Sequence, residues 1–198
     1  MIAIIDYGVG NLRSVQKACE YLGLSAEITG EAARVARAGR VILPGVGAFA
    51  EGMRRLCAAG LDAAVHAVAA SGRPLLGICL GMQLLYERGE EGEGATGLGL
   101  LPGAVTRLPA PGLKVPHVGW NTLSVRPSPL FTGLPPAPCV YFVHSYGAIQ
   151  TGPHTIATAD YGGLFTAAAQ LGSVYGTQFH PEKSGDVGLA MLKNFAAL

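Results

Sequence analysis

One cysteine of the chain stands between two glycines in a pattern that suits a nucleophile. In the stretch LLGICLGMQLL, Cys79 follows an apolar run and precedes a helix-like pattern, with Gly77 and Gly81 two residues away on either side. A nucleophile on a sharp strand-to-helix turn needs small residues at these positions. The turn also places the sulfur near the positive end of the helix dipole, which stabilises a thiolate. Taken alone, GxCxG favours a buried structural cysteine whose neighbouring glycines pack the strand on the helix.

His180 and Glu182, in the stretch GTQFHPEKSG, are candidates for a base and the group that orients it. Of the five histidines, only His180 ends a long strand pattern and has a carboxylate two residues on. Residues i and i+2 of an extended segment point to the same side, so Glu182 is predicted to reach the imidazole. Pro181 would stiffen the link. The alternatives are a strand-end histidine and a solvated or capping carboxylate.

The segment ILPGVGAF is the candidate source of a backbone donor for an oxyanion. Gly45 and Gly47 allow the peptide plane around Val46 to turn, so that a backbone N–H group faces a cleft. The amide of Leu80, directly after the candidate nucleophile, would supply a second donor. Together with a thiol, an imidazole and a carboxylate, these donors would equip the chain for acyl transfer. An ordinary Pro-Gly turn at a strand end is the alternative.

The elements that must position these groups alternate between strands and helices in the first half of the chain. Buried strands are predicted at MIAIID, RVILPG and PLLGIC, and helices at NLRSVQKACEYLG, at AFAEGMRRLCAAGLDAAVHAVAASG (one or two) and at LGMQLLYERGEE. Repeated units of this kind imply an α/β fold with a mostly parallel sheet and helices on both faces.

The second half of the chain differs in composition and is rich in Gly, Pro and Thr from about residue 95. Shorter strands are predicted at GAVTRL, NTLSV, CVYFVHSY, HTIATADY, LFTAAAQL and SVYGTQF. The amphipathic stretch DVGLAMLKNFAAL predicts a closing helix docked on the sheet. We therefore expect a partly antiparallel C-terminal portion.

Composition limits the classes of function that are possible. With 198 residues, 49% of them hydrophobic, the chain can bury one core, and we expect a single domain over 1–198. The 14 Lys and Arg nearly balance the 13 Asp and Glu, so neither nucleic acid nor an anionic membrane is a predicted partner. No segment reaches about 18 apolar residues and the N-terminus has no basic leader, which predicts a cytoplasmic protein.

Neither a metal nor a cofactor is predicted. The four cysteines show no short metal-type spacing, and Cys19, Cys57 and Cys139 receive no role. The stretch DYGVGNL could suggest a dinucleotide loop, but Arg13 and Ser14 stand near where its third glycine should be.

Taken together, PGVGAF, GICLGMQ and FHPEKSG have the order and spacing found in class I glutamine amidotransferases, and the chain resembles that family over essentially its whole length. The resemblance implies a flavodoxin-like α/β sheet that carries a triad of Cys79, His180 and Glu182. Three more segments, DYGVGNLRS, HVGWN and YFVHSY, resemble the glutaminase subunits of imidazole glycerol phosphate synthases. PGVGAF argues against the pyridoxal phosphate glutaminases, which carry a Ser- and Thr-bearing Gly-Gly loop there.

The resemblance also implies a reaction and a set of substrate contacts. Glutamine would be hydrolysed to glutamate and ammonia through a thioester on Cys79, with His180 acting as acid and then as base. Gln83 falls one helical turn after Cys79 and on the same side. The implied oxyanion hole is formed by Val46 and Leu80, and the implied substrate residues are Gly45, Gly47, Gln83, Ser145 and Tyr146.

A partner is implied by the same resemblance. Ammonia would pass to a cyclase subunit, a separate β/α barrel that forms a heterodimer with this chain and makes imidazole glycerol phosphate and aminoimidazole carboxamide ribotide in histidine biosynthesis. The implied interface residues are Asn11, Trp120, Tyr141 and Lys183, for which a buried core tryptophan and a solvated lysine are the alternatives. Because free ammonia would be lost to solvent, we expect PGVGAF to reach a competent orientation only beside the cyclase.

Three other functions are compatible with parts of the pattern. The chain could be a glutaminase subunit for another ammonia-accepting synthase, a non-catalytic regulatory homologue, or a cysteine peptidase or thiol stress protein on a similar sheet. The intact set of Cys79, His180 and Glu182 argues against the non-catalytic homologue.

Overall fold

The computed structural model describes residues 1–198 and contains six α-helices and fourteen β-strands. The helices are α1 (Leu12–Tyr21), α2 (Ala32–Arg37), α3 (Phe49–Ala58), α4 (Leu61–Ala70), α5 (Leu80–Leu84) and α6 (Gly185–Ala197). The strands are β1 (Ile2–Ile5), β2 (Ala26–Thr29), β3 (Arg40–Gly45), β4 (Leu75–Cys79), β5 (Tyr86–Gly89), β6 (Ala95–Thr96), β7 (Leu101–Arg107), β8 (His117–Thr122), β9 (Ser124–Val125), β10 (Cys139–His144), β11 (Tyr146–Gly147), β12 (Thr155–Asp160), β13 (Leu164–Leu171) and β14 (Val174–Thr177). Short 3₁₀ helices cover Pro129–Phe131 and Pro181–Lys183. None of the six α-helices combines the length and the apolar character needed to cross a membrane.

An eight-stranded mixed sheet forms the centre of the fold, in the order β2-β1-β3-β4-β14-β13-β12-β9. Five neighbouring strands of this sheet are parallel to one another, namely β2, β1, β3, β4 and β14. Strands β13, β12 and β9 continue the sheet in antiparallel pairs. A four-stranded sheet, β11-β7-β5-β6, and an antiparallel ribbon of β8 and β10 complete the architecture. The predicted α/β fold, with a mostly parallel part and a partly antiparallel C-terminal portion, is confirmed.

Both faces of the central sheet are covered, as the unbroken apolar runs of its strands predict. In β1, Ile2 and Ile4 pack into one core while Ala3 and Ile5 pack into the other. Helices α1 and α6 contribute to the first core, and α2 to α5 contribute to the second. This double covering holds the parallel strands rigidly, so their carboxyl ends form a fixed platform.

The structure differs from the predicted elements around the end of α5. The pattern LGMQLLYERGEE predicts one helix, but α5 ends at Leu84 and the chain continues as β5. The carbonyl groups of Leu84 and Leu85 accept hydrogen bonds from the N–H groups of Leu98 and Leu100, both at 2.8 Å, and Tyr86 is 1% exposed. Burial of the tyrosine and pairing with a distant segment therefore override the local helical pattern.

Candidate active site

Cys79 stands at the junction of β4 and α5 in a conformation that few side chains adopt. Its φ is +54° and its ψ is −111°, and Ala110 is the only other non-glycine residue with positive φ. Such a backbone is strained and persists only where the surrounding structure enforces it. A Cβ on Gly77 would stand 2.7 Å from the Gly81 carbonyl, and one on Gly81 would overlap the Leu43 carbonyl oxygen. The two glycines are therefore required by the close passage of the chain.

The register of three parallel strands brings the candidate groups to one edge of the sheet. Gly45 at the end of β3 is paired with Cys79 at the end of β4. On the other side of β4, Thr177 of β14 is paired with Ile78. The segments that leave β3 and β14 therefore flank the sulfur, as expected for carboxyl ends of parallel strands.

His180 is held by a buried carboxylate. Its Nδ1 lies 2.8 Å from Oε1 of Glu182, and the two side chains are 4% and 1% exposed. The contact is made by a tight turn rather than by an extended segment, because 3₁₀ residues Pro181–Lys183 follow His180 and the Lys183 N–H group donates to the His180 carbonyl at 3.0 Å. The predicted extended geometry is therefore wrong, although the two groups meet.

The imidazole of His180 has a pKa above that of an ordinary histidine. Burial lowers this pKa, but hydrogen bonds with Cys79 and Glu182 outweigh burial and raise the pKa of His180 to about 9. The ring is therefore protonated at neutral pH and presents a positive charge to the sulfur. This charge faces the atom on which negative charge must develop when the sulfur attacks a carbonyl group.

A cleft of about 340 Å³ opens beside the sulfur, a volume suited to a small molecule. It gathers candidate residues from four separate parts of the chain. Its lining contains Val46, Gly47, Cys79, Leu80, Gln83, Ser145, Tyr146, His180 and Lys183. No group of three or more His, Cys, Asp or Glu side chains is arranged to hold a metal ion.

Gly45 and Gly47 differ in the reason why a glycine is needed. Gly47 has φ of +112° with open space around it, so its freedom serves the backbone turn next to Val46. Gly45 is buried, has no positive φ and lies outside the lining of the cleft. A Cβ there would overlap the Tyr7 hydroxyl. Close packing thus gives a reason for a glycine at position 45, and its role in turning the peptide plane around Val46 stays a prediction.

The candidate interface residues lie mainly at the surface. Trp120 is 58% exposed, which excludes the alternative of a buried core tryptophan. It is paired with Tyr141 across the ribbon of β8 and β10, and their ring centroids are 5.9 Å apart. Asn11 is also exposed, and Lys183, likewise exposed, lines the cleft.

Two buried histidines support the wall of the cleft that carries Ser145 and Tyr146. His144 Nδ1 lies 2.9 Å from the Tyr146 carbonyl oxygen, which can only accept, so this nitrogen carries the proton. His144 Nε2 therefore accepts from His117 Nδ1 at 3.1 Å. Burial, opposed by the hydrogen bond to Tyr146, lowers the pKa of His144 to about 4. Both bonds are thus made by a neutral ring near pH 7.

Several residues of the site were not found from the sequence. The cleft is also lined by Glu91, Pro116, Val143 and His144, and the buried Gln178 lies against the Cys79 sulfur. Glu91 accepts a hydrogen bond at 2.9 Å from the N–H group of Phe49, the first residue of α3. A carboxylate 42 residues away in sequence leaves no local pattern. His144 and Gln178 stood inside the recognised stretches YFVHSY and GTQFHPEKSG, where adjacency to candidate residues was the available indication.

The fold and the cleft define the class of protein, and comparison with known families agrees. The family model "Glutamine amidotransferase class-I" matches residues 3–197, and the chain belongs to this family, as predicted. It is 53% identical to the "Imidazole glycerol phosphate synthase subunit HisH" of Moorella thermoacetica, over 100% of this chain and 94% of that protein. It is 51% identical to the protein of the same name from Syntrophotalea carbinolica, over 98% of each chain. The fold is similar to that in "Structure of PurLQS from Thermotoga maritima", with a TM-score of 0.77 and 20% identity over 98% of this chain and 96% of that one.

Proposed function

We propose that this chain is the glutaminase subunit of an imidazole glycerol phosphate synthase, acting in histidine biosynthesis in the cytoplasm. The observation that carries the proposal is a strained, cleft-facing Cys79 beside His180, whose ring is fixed by the buried Glu182. The identity of about half of all positions to subunits of that name supports the particular synthase. We treat 1–198 as one domain, because the central sheet takes strands from both halves of the chain.

The first half of the reaction forms a thioester. The Cys79 thiolate attacks the side-chain carboxamide carbon of glutamine, and the carbonyl oxygen becomes an oxyanion. His180, protonated near pH 7 because its pKa is about 9, donates its proton to the nitrogen as the C–N bond breaks. Ammonia leaves, and the γ-glutamyl group remains on sulfur.

The second half of the reaction releases glutamate. His180, now neutral, takes a proton from water, and the resulting hydroxide attacks the thioester carbon. The C–S bond breaks, glutamate leaves and the thiolate–imidazolium pair is restored. Glu182 accepts the hydrogen bond from Nδ1 and holds the ring in the tautomer with the proton on that atom, so that the other nitrogen faces the sulfur.

Backbone and polar groups of the cleft suit the substrate. The backbone N–H groups of Val46 and Leu80 are proposed as oxyanion donors, and the backbone around Gly45 and Gly47 as part of the substrate site. A zwitterionic amino acid requires several convergent polar groups, and the lining supplies them from Gln83, Ser145 and Tyr146.

The proposed partner is a cyclase subunit with a β/α-barrel fold that forms a heterodimer with this chain. Asn11, Trp120, Tyr141 and Lys183 are the proposed contacts. The loop that carries Asn11 packs on the oxyanion segment, since a Cβ on Gly10 would lie 3.4 Å from the Gly45 backbone. A partner bound at Asn11 would therefore affect the orientation of the peptide next to Val46. We propose that the cyclase and its nucleotide ligand favour the orientation of that peptide in which its N–H group faces the oxyanion.

Glutaminase assays with and without the cyclase subunit test this function. We expect glutamate release from glutamine to be slow in the isolated chain and to rise when the cyclase and its nucleotide ligand are added. Cys79→Ala should abolish the activity, while Cys57→Ala, at an exposed thiol, should leave it unchanged. Failure to hydrolyse glutamine with the cyclase present, or activation only by a different synthase, would contradict the proposal.

A further inference from the structure

Gln178 is a buried polar residue to which the proposed reaction gives no role. Its side chain is fully buried, yet it stands at the end of β14 directly beside the nucleophile. Gln178 Nε2 lies 3.8 Å from the Cys79 sulfur, within the range of hydrogen bonds to sulfur, and the sulfur is its only hydrogen-bond partner. Buried amides are rarely left without a functional or structural partner.

The orientation of this amide is fixed by a chain of acceptors. The Tyr146 carbonyl oxygen can only accept, so the Gln83 group 2.8 Å from it must be the NH₂ group. The same Gln83 nitrogen lies 3.1 Å from the Gln178 side chain, which must therefore turn its oxygen towards Gln83. Gln178 consequently presents its NH₂ group to the Cys79 sulfur. The reverse orientation would place two donors against each other.

We propose that Gln178 is a further catalytic residue, which donates a hydrogen bond to the Cys79 thiolate and stabilises it against the thiol. This proposal rests on the proposed glutaminase function of the same site. A thiolate is a far stronger acceptor than a thiol, so the bond strengthens when the sulfur becomes charged. Because the donor is a neutral amide, it supports the negative sulfur without exchanging a proton.

The variant Gln178→Leu tests the donor directly, whereas the isosteric Gln178→Glu keeps the oxygen that faces Gln83 and replaces the NH₂ group by a titratable second oxygen. Gln178→Leu removes the whole amide. The other titratable groups that face the sulfur, His180 and Tyr7, remain in both variants. Gln170→Leu is the matched control, because that glutamine also bonds to neighbouring side chains, Ser128 and Tyr175, and lies outside the cleft.

The measurement is the rate of alkylation by iodoacetamide across a range of pH, followed separately for each cysteine-containing peptide by mass spectrometry. The exposed Cys57 and Cys139 serve as internal controls for folding and reagent. In both Gln178 variants we expect the midpoint of the Cys79 profile to move upward by about one pH unit and glutaminase kcat to fall roughly 10- to 100-fold, with little change in KM. Gln170→Leu should leave both unchanged.

The result that overturns the inference is a Cys79 profile in Gln178→Leu that superimposes on that of the wild type. An equal shift in Gln170→Leu would also overturn it, since the effect would then be a general loosening of the fold. Glutamine hydrolysis by the wild-type protein with its cyclase is measured in the same series. If the wild type fails to hydrolyse glutamine, the proposed function fails, whereas an active wild type with unshifted variants refutes only the role of Gln178.

Discussion

The Nδ1 atom of His180 lies 2.8 Å from Oε1 of Glu182, and a single 3₁₀ turn joins the two residues. His180 and Glu182 therefore form one local unit, which lies directly after β14 at the edge of the sheet. The nucleophile, Cys79, comes from the neighbouring strand. The alignment of the unit with the sulfur thus depends on strand pairing, which the two covered faces of the sheet make rigid.

Replacing the carboxylate should impair chemistry more than binding. In Glu182→Gln the imidazole loses the anion that fixes its tautomer and helps to hold its pKa at about 9. We expect kcat to fall by about 100-fold or more with little change in KM. Steady-state glutaminase assays with the cyclase present measure both constants. Glu90→Gln, at an exposed carboxylate, should behave as the wild type, and equal losses in the two variants would contradict the assigned role.

The sharp turn around the nucleophile should not tolerate a methyl group. In Gly81→Ala the new Cβ would overlap the Leu43 carbonyl oxygen, and backbone cannot rotate out of the way as a side chain can. We expect a loss of at least about 3 kcal/mol in the free energy of unfolding, measured by chemical denaturation. Gly39→Ala is the control, since its nearest contact would be an ordinary 3.9 Å. Equal stability of the two variants would refute the close passage at Gly81.

His144 should make the protein sensitive to acid. Its folded-state pKa of about 4 lies below the ordinary value of 6.5, so the unfolded chain binds this proton more readily. The stabilising contribution is present above pH 6.5 and is lost as the pH falls through about 4. We expect this residue to add about 1.4 kcal/mol per pH unit to the fall in unfolding free energy over that window.

Urea denaturation at several pH values tests this dependence. His144→Gln should show a flatter profile between pH 6.5 and 4 than the wild type. His66→Gln, at an exposed helical histidine, should keep the wild-type slope. A wild-type slope in His144→Gln would show that this ring does not carry the acid sensitivity.

The exposed aromatic pair should matter only when the cyclase is present. Trp120 is 58% exposed and stacks edge-on against Tyr141, so its removal leaves no cavity in a core. In Trp120→Ala we expect the unfolding free energy to stay within about 0.5 kcal/mol of the wild type. The Kd for the cyclase should rise by about 30-fold or more, because exposed tryptophans at interfaces are common hot spots.

Isothermal titration calorimetry with the cyclase subunit measures this change. Leu171→Ala provides a control, because Leu171 is 52% exposed and ends β13, where it is paired with Val174 at the start of β14. An unchanged Kd for Trp120→Ala would remove this ribbon from the proposed interface.

The sequence predicts the parallel core well because each of its strands is an unbroken apolar run followed by a turn. Strands β1, β3 and β4 and helix α1 fall close to their predicted positions. Strand β2 and helix α2 were missed, since their short segments are half exposed and carry no strong period. Helix α5 was predicted too long because the pairing of Tyr86 with β7 is invisible to local pattern.

The candidate site likewise contains residues that the sequence identifies and residues that only the structure reveals. Cys79, His180 and Glu182 are accessible to sequence reasoning because each sits in a short motif of its own. Gln178 and His144 depend on partners far away in the chain, so their contacts require a structure. The 3₁₀ turn at Pro181–Lys183 was also not predicted, because a spacing of i and i+2 does not distinguish a strand from a 3₁₀ turn.

The most direct test of the central claim is to identify the thiol that attacks glutamine. The complex with the cyclase is incubated with a glutamine-mimicking electrophile, digested, and mapped by mass spectrometry. We predict one adduct, on Cys79, and loss of glutaminase activity in proportion to labelling. Stoichiometric labelling of Cys19, Cys57 or Cys139 in its place, or full labelling of Cys79 with glutamine hydrolysis unimpaired, would contradict the account.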